Sequence, residues 1–405
     1  MTTVKEPNPT KISLDPKLLS SVLNISLKCS GTSDENKALK EMFKDVLISF
    51  IEDQPAGRIS TSTGNELMII GFHLPESSKE TFNLRIDGNQ FKSLLSAFKE
   101  SIINISFKDD VLKISNKKTN LKMSTKDSEE LFNQMRYIYI PKDSKVKVAE
   151  LPQESLLSLI EEVLPLVENA SKKEATPVFF KLSKNSVYAY SFTPNKAIAS
   201  QGFAELPIPV EQETTITLFP ESLKIFMHLL RVTKNNNYKI FVDKNGTKVE
   251  FKANAGLFVA AQANMEVPAI SEIMKKIFNE KIETVEIDKE ETFSALEKVK
   301  VIADNFTPVN VKIENNIMEI SASSPTGSIK EKIEVKSQEQ LNVELPFIFG
   351  TLKKALDSFS KAHPECKKLT LHFSKIKSGE SDMAALLLTS KDYPKHIISL
   401  AGGNA

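Results

Sequence analysis

The 405-residue chain has no tryptophan and only two cysteines, Cys29 and Cys366. Two thiols in a chain this long cannot build a disulfide framework, and neither has a catalytic partner at any recognisable spacing. Both read as structural thiols. The five histidines, His73, His228, His363, His372 and His396, are scattered at no ligand spacing, so no metal is expected. No apolar run approaches the roughly 20 residues of a membrane span. Residues 1–10 are polar and carry two prolines, which fits neither a signal peptide nor a helix start. They read as a short disordered lead-in, and a cytoplasmic location is the default. Phosphate loops of the Gly-Lys-Ser/Thr type, spaced-glycine dinucleotide fingerprints, nucleophile elbows and His-Glu metal motifs are also missing. Nothing recommends catalysis, and no cofactor is expected. Charge of one sign is lacking too: the formal net charge is +1. That excludes a uniformly basic nucleic-acid-binding surface, but not basic residues gathered on one face.

What is present is a soluble globular composition, 40% hydrophobic and 26% charged, long enough for about two to four domains. One short pattern organises it. An apolar residue is followed by Asp, Pro or a turn, and then by a helical run. The copies open at Leu14-Asp15-Pro16, Ile86-Asp87-Gly88, Leu151-Pro152-Gln153, Phe219-Pro220-Glu221, Ile287-Asp288-Lys289 and Leu345-Pro346-Phe347, at spacings of 58 to 72 residues. Asp accepts hydrogen bonds from the free amides at a helix N-terminus, and Pro is tolerated at the first helical position. Each copy therefore predicts a strand end running into a helix. In the second copy Phe91, Leu94, Leu95, Phe98 and Ile102 fall at helical spacing.

Each helix is followed by short β segments joined by polar turns. Residues 178–182 and 187–191 flank Lys184-Asn185. Residues 238–242 and 247–251 flank Asp243-Lys244-Asn245-Gly246, with a further strand at 257–262. Residues 309–313 and 317–321 flank Asn315-Asn316. The fold class is thus α+β, six copies of one helix plus three or four strands. One such copy has too little core to stand alone, whereas two can share a sheet. Three similar domains of two copies each are expected, at 11–145, 146–278 and 279–405, with linkers at 140–146 and 274–280. An unrelated multidomain α+β protein, including an enzyme, is the alternative.

At residues 151–160, 293–308, 318–325, 89–99 and 104–125 the apolar spacing resembles the bacterial β sliding clamp family, and the resemblance extends from about residue 11 to about residue 400. It implies three similar domains per subunit and two subunits closing head to tail into a ring around duplex DNA. Helices would line the hole, and continuous sheets would form the wall. The implied function is to encircle DNA and tether a replicative polymerase, with a clamp loader as a further partner and no membrane.

Sliding needs attraction without registry, which lysines on flexible stems provide by meeting phosphates and reading no base edge. Candidates on the predicted helices are Lys92 and Lys99 on the second; Lys172 and Lys173 after the third; Lys224, His228, Arg231 and Lys234 on or just after the fourth; Lys298 on the fifth; and Lys353, Lys354 and Lys361 on the sixth. The resemblance also implies a groove for apolar peptides of the polymerase and loader. Its expected walls carry Phe192, Pro194 and Lys196, then Pro268 and Ile273, then Ile398 and Leu400. Two departures are evident. Thr193-Pro194 and Lys196-Ala197 stand where the family has Asp-Gly and Arg-Leu. The tail continues as Ala401-Gly402-Gly403-Asn404-Ala405 where the family ends apolar-Pro-apolar-Arg-Leu. They point to a phage or other mobile-element clamp with its own partners. A clamp-fold adaptor that does not encircle DNA is the other open reading.

Overall fold

The computed structural model describes residues 11–31, 37–98, 102–108, 110–168, 176–195, 197–233, 236–265, 283–337, 340–378 and 381–404. The expected lead-in 1–10 and linker 274–280 lie outside the described residues. Among the described residues there are eight α-helices: α1 Pro16–Ser26, α2 Lys37–Met42, α3 Gly88–Leu95, α4 Ser128–Ile138, α5 Gln153–Val163, α6 Pro220–Val232, α7 Lys289–Val299 and α8 Phe349–Ala362. Six of them, all but α2 and α4, begin at the six copies of the repeated pattern.

The capping chemistry at those starts follows the residues. Asp15 accepts from the Lys17 amide at 2.8 Å, Asp87 from Gln90 at 2.7 Å and Asp288 from Glu291 at 3.1 Å. The last copy has no capping side chain, and α8 is capped by other means. The Phe349 amide donates to the Thr307 carbonyl at 3.0 Å and the Gly350 amide to the Asn305 carbonyl at 3.2 Å. Residue 350 must be glycine for this approach, because a Cβ there would lie 2.6 Å from the Asn305 oxygen.

The expected hairpins form. Asn237–Asp243 pairs with Lys248–Lys252, and the turn closes with Gly246 at φ 68°. Pro308–Glu314 pairs with Ile317–Ser324 across Asn315 and Asn316, both left-handed at φ 54° and 61°, the conformation that a two-residue primed turn requires. Asparagine tolerates that region better than other side chains.

The chain divides into two compact units, Met1–Glu154 with Lys224–Gln262, and Ser155–Leu223 with Ala263–Ala405. The stretch 146–278 contributes to both. In the first unit an eight-stranded antiparallel sheet runs in the order Phe82–Asp87, Asp45–Phe50, Ala56–Ser62, Glu66–His73, Gly256–Ala261, Lys248–Lys252, Asn237–Asp243, Lys145–Pro152. A four-stranded sheet joins Lys11–Leu14, Ile103–Lys108, Val111–Ser115 and Asn120–Ser124. In the second unit a nine-stranded sheet runs Thr214–Leu218, Val178–Ser183, Ser186–Phe192, Ile198–Glu205, Ile397–Asn404, Ser381–Thr389, Lys368–Ser378, Glu283–Asp288, Lys336–Ser337. Its companion four-stranded sheet runs Gly327–Glu334, Ile317–Ser324, Pro308–Glu314, Asn342–Ile348. Two pairings join strands distant in the chain: Ile70 stands opposite Gly256, and Ser200 opposite Ile398.

Both faces of the eight-stranded sheet are covered. Leu131, Met135 and Ile138 of α4 pack with Leu47, Leu67 and Val259. On α6, Phe226 stacks on Phe258 at 5.0 Å and meets Tyr238 edge-on at 5.7 Å. This two-sided burial explains why Val46, Leu47 and Ile48 are buried in succession rather than alternately.

Two expectations need correction. Helix α3 ends at Leu95, so Ile102 is not on it and stands exposed. Phe98 is still buried, but on a tightened turn in which the Ala97 and Phe98 amides donate to the carbonyls three residues back. Nor is 140–146 a free connector. Ile140 is core, and a strand paired with Asn237–Asp243 already begins at Lys145.

The first unit also buries charge. Asp45 is fully enclosed and accepts from Arg85 Nε at 2.8 Å and from Lys126 Nζ at 2.7 Å. Removing one partner of a buried ion pair strands the other charge, at a cost of about 3–5 kcal/mol. Losing a surface cap costs only about 1 kcal/mol. Asp45→Ala should therefore lower the urea midpoint several times more than Asp288→Ala. Equal midpoints for the two variants would contradict this ranking.

Candidate partner cleft and basic helix faces

In the second unit a cleft of about 1070 Å³ opens beside α8. One wall is apolar, with Pro165 and Leu166 after α5, Pro194, Ala197 and Ile198 from the loop beyond Ser186–Phe192, and Phe306 at the rim. The other is the polar stripe of α8: Thr351, Lys354, Asp357, Ser358 and Lys361, with Lys353 beside it. These positions recur at helical spacing opposite the buried Phe349, Leu352, Leu356 and Phe359.

The loop is braced from within. Thr193 Oγ1 donates to Asn195 Oδ1 at 2.7 Å and accepts from the Ile198 amide at 3.1 Å. The Ala401 amide donates to the Ala197 carbonyl at 2.9 Å, fastening the last strand to the loop. The residues that depart from the resembled family, Thr193-Pro194 and the tail after Leu400, are therefore those that shape this cleft. Pro194, Ala401 and Gly402 line it.

The expected groove residues separate. Pro194 is exposed at the cleft. Phe192, Ile398 and Leu400 are sheet core at 3%, 0% and 2% exposure and offer no surface. The reason is register: Ile398 lies between Ser200 and Leu388, and Leu400 between Ile198 and Leu386. Lys196, Pro268 and Ile273 lie outside the described residues. Phe306 could not be read as a cleft residue from apolar periodicity. It is 85% exposed, on a turn held by Asp304, whose carboxylate accepts from the Phe306 amide at 2.9 Å and from Thr307 Oγ1 at 2.8 Å. The Asp304-Asn305-Phe306-Thr307 run was the available turn signal.

The expected DNA-facing residues also separate. In the first unit Lys92 is exposed on α3, and Lys224, His228 and Arg231 follow one another along α6. Burial lowers the His228 pKa, and nearby Lys28 and Arg231 lower it further, so this helix face carries positive potential. Lys17 and Lys28, exposed on and just after α1, belong to the same unit. Helix α1 packs on α3, with Lys17, Ser21 and Asn24 lining a shallow groove against Ser96 and Phe98. In the second unit Lys298 meets Glu331 at 2.8 Å and Lys361 meets Glu168 at 2.8 Å. Lys353 meets Glu297 at 2.9 Å and Asp357 at 3.5 Å. Lys354 has no ion pair among the described residues. Lys99, Lys172, Lys173 and Lys234 lie outside them.

Behind the cleft the fold assembles groups that are scattered in sequence. His363 Nε2 lies 2.8 Å from His396 Nδ1, His396 Nε2 lies 2.9 Å from Ser200 Oγ, and Ser200 Oγ donates to the Glu162 carbonyl at 3.0 Å. Because the serine spends its one proton on that carbonyl, His396 Nε2 must donate to it. Buried and therefore neutral, His396 then accepts at Nδ1 from His363. Burial agrees, lowering His363 to about 4 and His396 to about 3. Burial pushes the Glu162 carboxyl up to about 7, against the opposing pull of the Ser158 hydroxyl and Lys395. None of these buried groups is reachable by a substrate, so the chain is structural.

No family model matches the chain, and no curated protein matches it. Solved structures do. The β subunit from DNA polymerase of Streptococcus pyogenes is 16% identical, with 98% of this chain and 100% of that chain covered at a TM-score of 0.78. The DNA polymerase sliding clamp from Bacillus subtilis is 14% identical, with 98% and 100% covered at 0.76. The DNA polymerase III β subunit from Thermotoga maritima is 17% identical, with 97% and 99% covered at 0.73. The α+β fold is that of the DNA polymerase III β sliding clamps, and it spans the chain from end to end. Among the described residues no helix is long and apolar enough to cross a membrane.

Glu162 gives a clean test of burial. Its raised pKa stabilises the fold fully below about pH 4.5, where the unfolded carboxyl is also protonated, and that contribution is lost as pH rises through 7. Glu162→Gln keeps the neutral shape at every pH. Its stability relative to the parent should climb between pH 4.5 and 7, by roughly 1.4 kcal/mol per pH unit at most. A difference flat across that range, in urea titrations at several pH values, would show that the carboxyl is well solvated.

Proposed function

We propose that this chain is a DNA sliding clamp subunit that encircles duplex DNA as a homodimer and tethers a replicative polymerase, with no catalysis of its own. The observation that carries the reading is the full-length correspondence of fold to the β clamps. On this reading the chain comprises clamp domains 11–145, 146–278 and 279–405. The six helix starts support that division.

Two edges favour assembly. Asn120–Ser124 and Gly327–Glu334 each have one strand neighbour among the described residues and leave a row of backbone donors and acceptors open. Joining the first edge of one copy to the second edge of another, twice over, closes a two-subunit ring. Light scattering should give twice the 45.2 kDa chain mass at micromolar concentration. A monomer or trimer would count against the ring.

Lys17, Lys28, Lys92, Lys224 and Arg231 are the cations we assign to phosphate contact. Each phosphate neutralised contributes about 0.9 to the slope of log affinity on log salt. The combined variant Lys92→Ala, Lys224→Ala, Arg231→Ala should flatten that slope by about two to three. An unchanged slope removes these residues from the DNA path. The parent should be retained on circular DNA and slide off the same DNA once it is linearised. The competing reading, a clamp-fold adaptor, draws support from the carboxylate partners of Lys298, Lys353 and Lys361. Equal retention on both forms of DNA would favour it.

The cleft beside α8 is assigned to an apolar segment of the polymerase or of a clamp loader. A preformed apolar wall with a few polar groups opposite is what such a segment needs, and an exposed aromatic at the rim is a strong anchor.

A further inference from the structure

Resting on the DNA path assigned above, we propose that His228 takes up a proton as duplex DNA binds, so that this chain holds DNA more tightly as pH falls from about 8 to about 6. The imidazole stands at the crest of α6. Lys224, His228 and Arg231 recur at i, i+4 and i+7, opposite the buried Leu223, Phe226, Leu229 and Leu230. His228 is nonetheless half-buried, and neither ring nitrogen has a hydrogen-bond partner among the described residues. The other buried or half-buried histidines are held: His363 and His396 by each other, and His372 by Thr284 and Thr389. A histidine kept for packing is normally satisfied in this way. His228 instead leaves both nitrogens unused on the side of the helix where the cations gather.

The charged groups that face it among the described residues are cations. Lys28, just after α1, and Arg231, one turn along α6, lie close enough to act on it, and Lys224 is one turn back. The single carboxylate of α6 is Glu221, seven residues back and so about 10 Å along the axis. In the free protein, burial and then Lys28 and Arg231 hold the imidazole pKa below its ordinary value, so the ring is neutral near pH 7. Phosphate acts in the opposite direction twice. It attracts the imidazolium directly, and it offsets the Lys28 and Arg231 charges that kept the ring neutral. An opposite charge at about 4–6 Å favours the protonated form by a factor of about 10 to 1000. Binding and protonation are linked, so each strengthens the other by the same factor. Because the free pKa is lowered and the bound one raised, affinity climbs as pH falls through the interval between them. Well above that interval the ring is neutral with or without DNA and adds nothing. His228 is thus a phosphate contact that acidity switches on without altering the fold.

The test uses the full chain and a fluorescent linear duplex, onto which a closed ring can thread from either end. Binding is read by anisotropy at low salt across the range from about pH 8 to about pH 6. We expect the parent to bind roughly fivefold more tightly at the acid end, with a salt slope steeper there by up to about 0.9 per subunit. His228→Gln should be flat with pH. His73→Gln, which alters an exposed histidine at the end of a strand, should follow the parent. His228→Lys, with its charge fixed, should bind at the alkaline end about as tightly as the parent does at the acid end. In spectra of the carbon-labelled histidines, the resonance missing from His228→Gln should titrate at higher pH once duplex is added. A parent affinity flat across the range, or a pH dependence that survives in His228→Gln, refutes the role of His228 while salt-dependent binding and the DNA path stand. If the duplex is bound at no pH and the chain is retained equally on circular and linearised DNA, the DNA path fails as well. Unchanged mass and circular dichroism of each variant across the range exclude misfolding as the cause.

Discussion

Two runs of backbone pairing hold this architecture in place. Glu66–His73 lies against Gly256–Ala261, and Ile198–Glu205 against Ile397–Asn404. Each joins strands nearly two hundred residues apart, and each merges two shorter sheets into one. Without them the repeated helix-and-hairpin copies would present open edges, which natural sheets avoid. With them the sheets become long enough to carry helices side by side. Such non-local pairing is entropically expensive to initiate and slow to form. The buried pair Asp45–Arg85 and the pair Lys145–Glu250 sit in the sheet formed this way.

Much of the fold was legible because local chemistry and global pattern agree. Asp15, Asp87 and Asp288 announced helix starts and cap them. Asn315-Asn316 and Asp243-Lys244-Asn245-Gly246 announced turns and make them. Helix α8 was legible from its apolar spacing, yet its cap was not. The carbonyls of Asn305 and Thr307 satisfy its amides from forty residues upstream, and no local pattern reports such a partner. The length of α3 was overestimated for a related reason. Phe98 is buried as a helix core residue would be, but on a turn, and burial periodicity does not separate the two.

The candidate site was half legible. The loop at 193–198 and the last strand both border the cleft. Within the strand, however, apolar side chains were mistaken for lining. Ile398 and Leu400 face the sheet core, and the small Ala401 and Gly402 form the surface instead. Register decides this, and a single-residue offset moves a side chain to the other face. The lysines of α8 were read by charge alone. Only their partners distinguish Lys353 and Lys361 from Lys354, and those partners, Glu297 and Glu168, come from other elements. The His363–His396–Ser200–Glu162 chain was invisible for the same reason, since its members span residues 162 to 396.

The position of Ile397–Asn404 has a consequence for synthesis. This strand lies inside the nine-stranded sheet, between Ile198–Glu205 and Ser381–Thr389, rather than at its edge. A ribosome delivers it after both of its neighbours. Until it emerges, Ile198–Glu205 waits as an uncovered edge in the nascent chain, through about two hundred residues of elongation. The second unit is thus closed like a zip from its last teeth, and premature termination anywhere in that interval leaves a sticky half-sheet for chaperones and proteases to find.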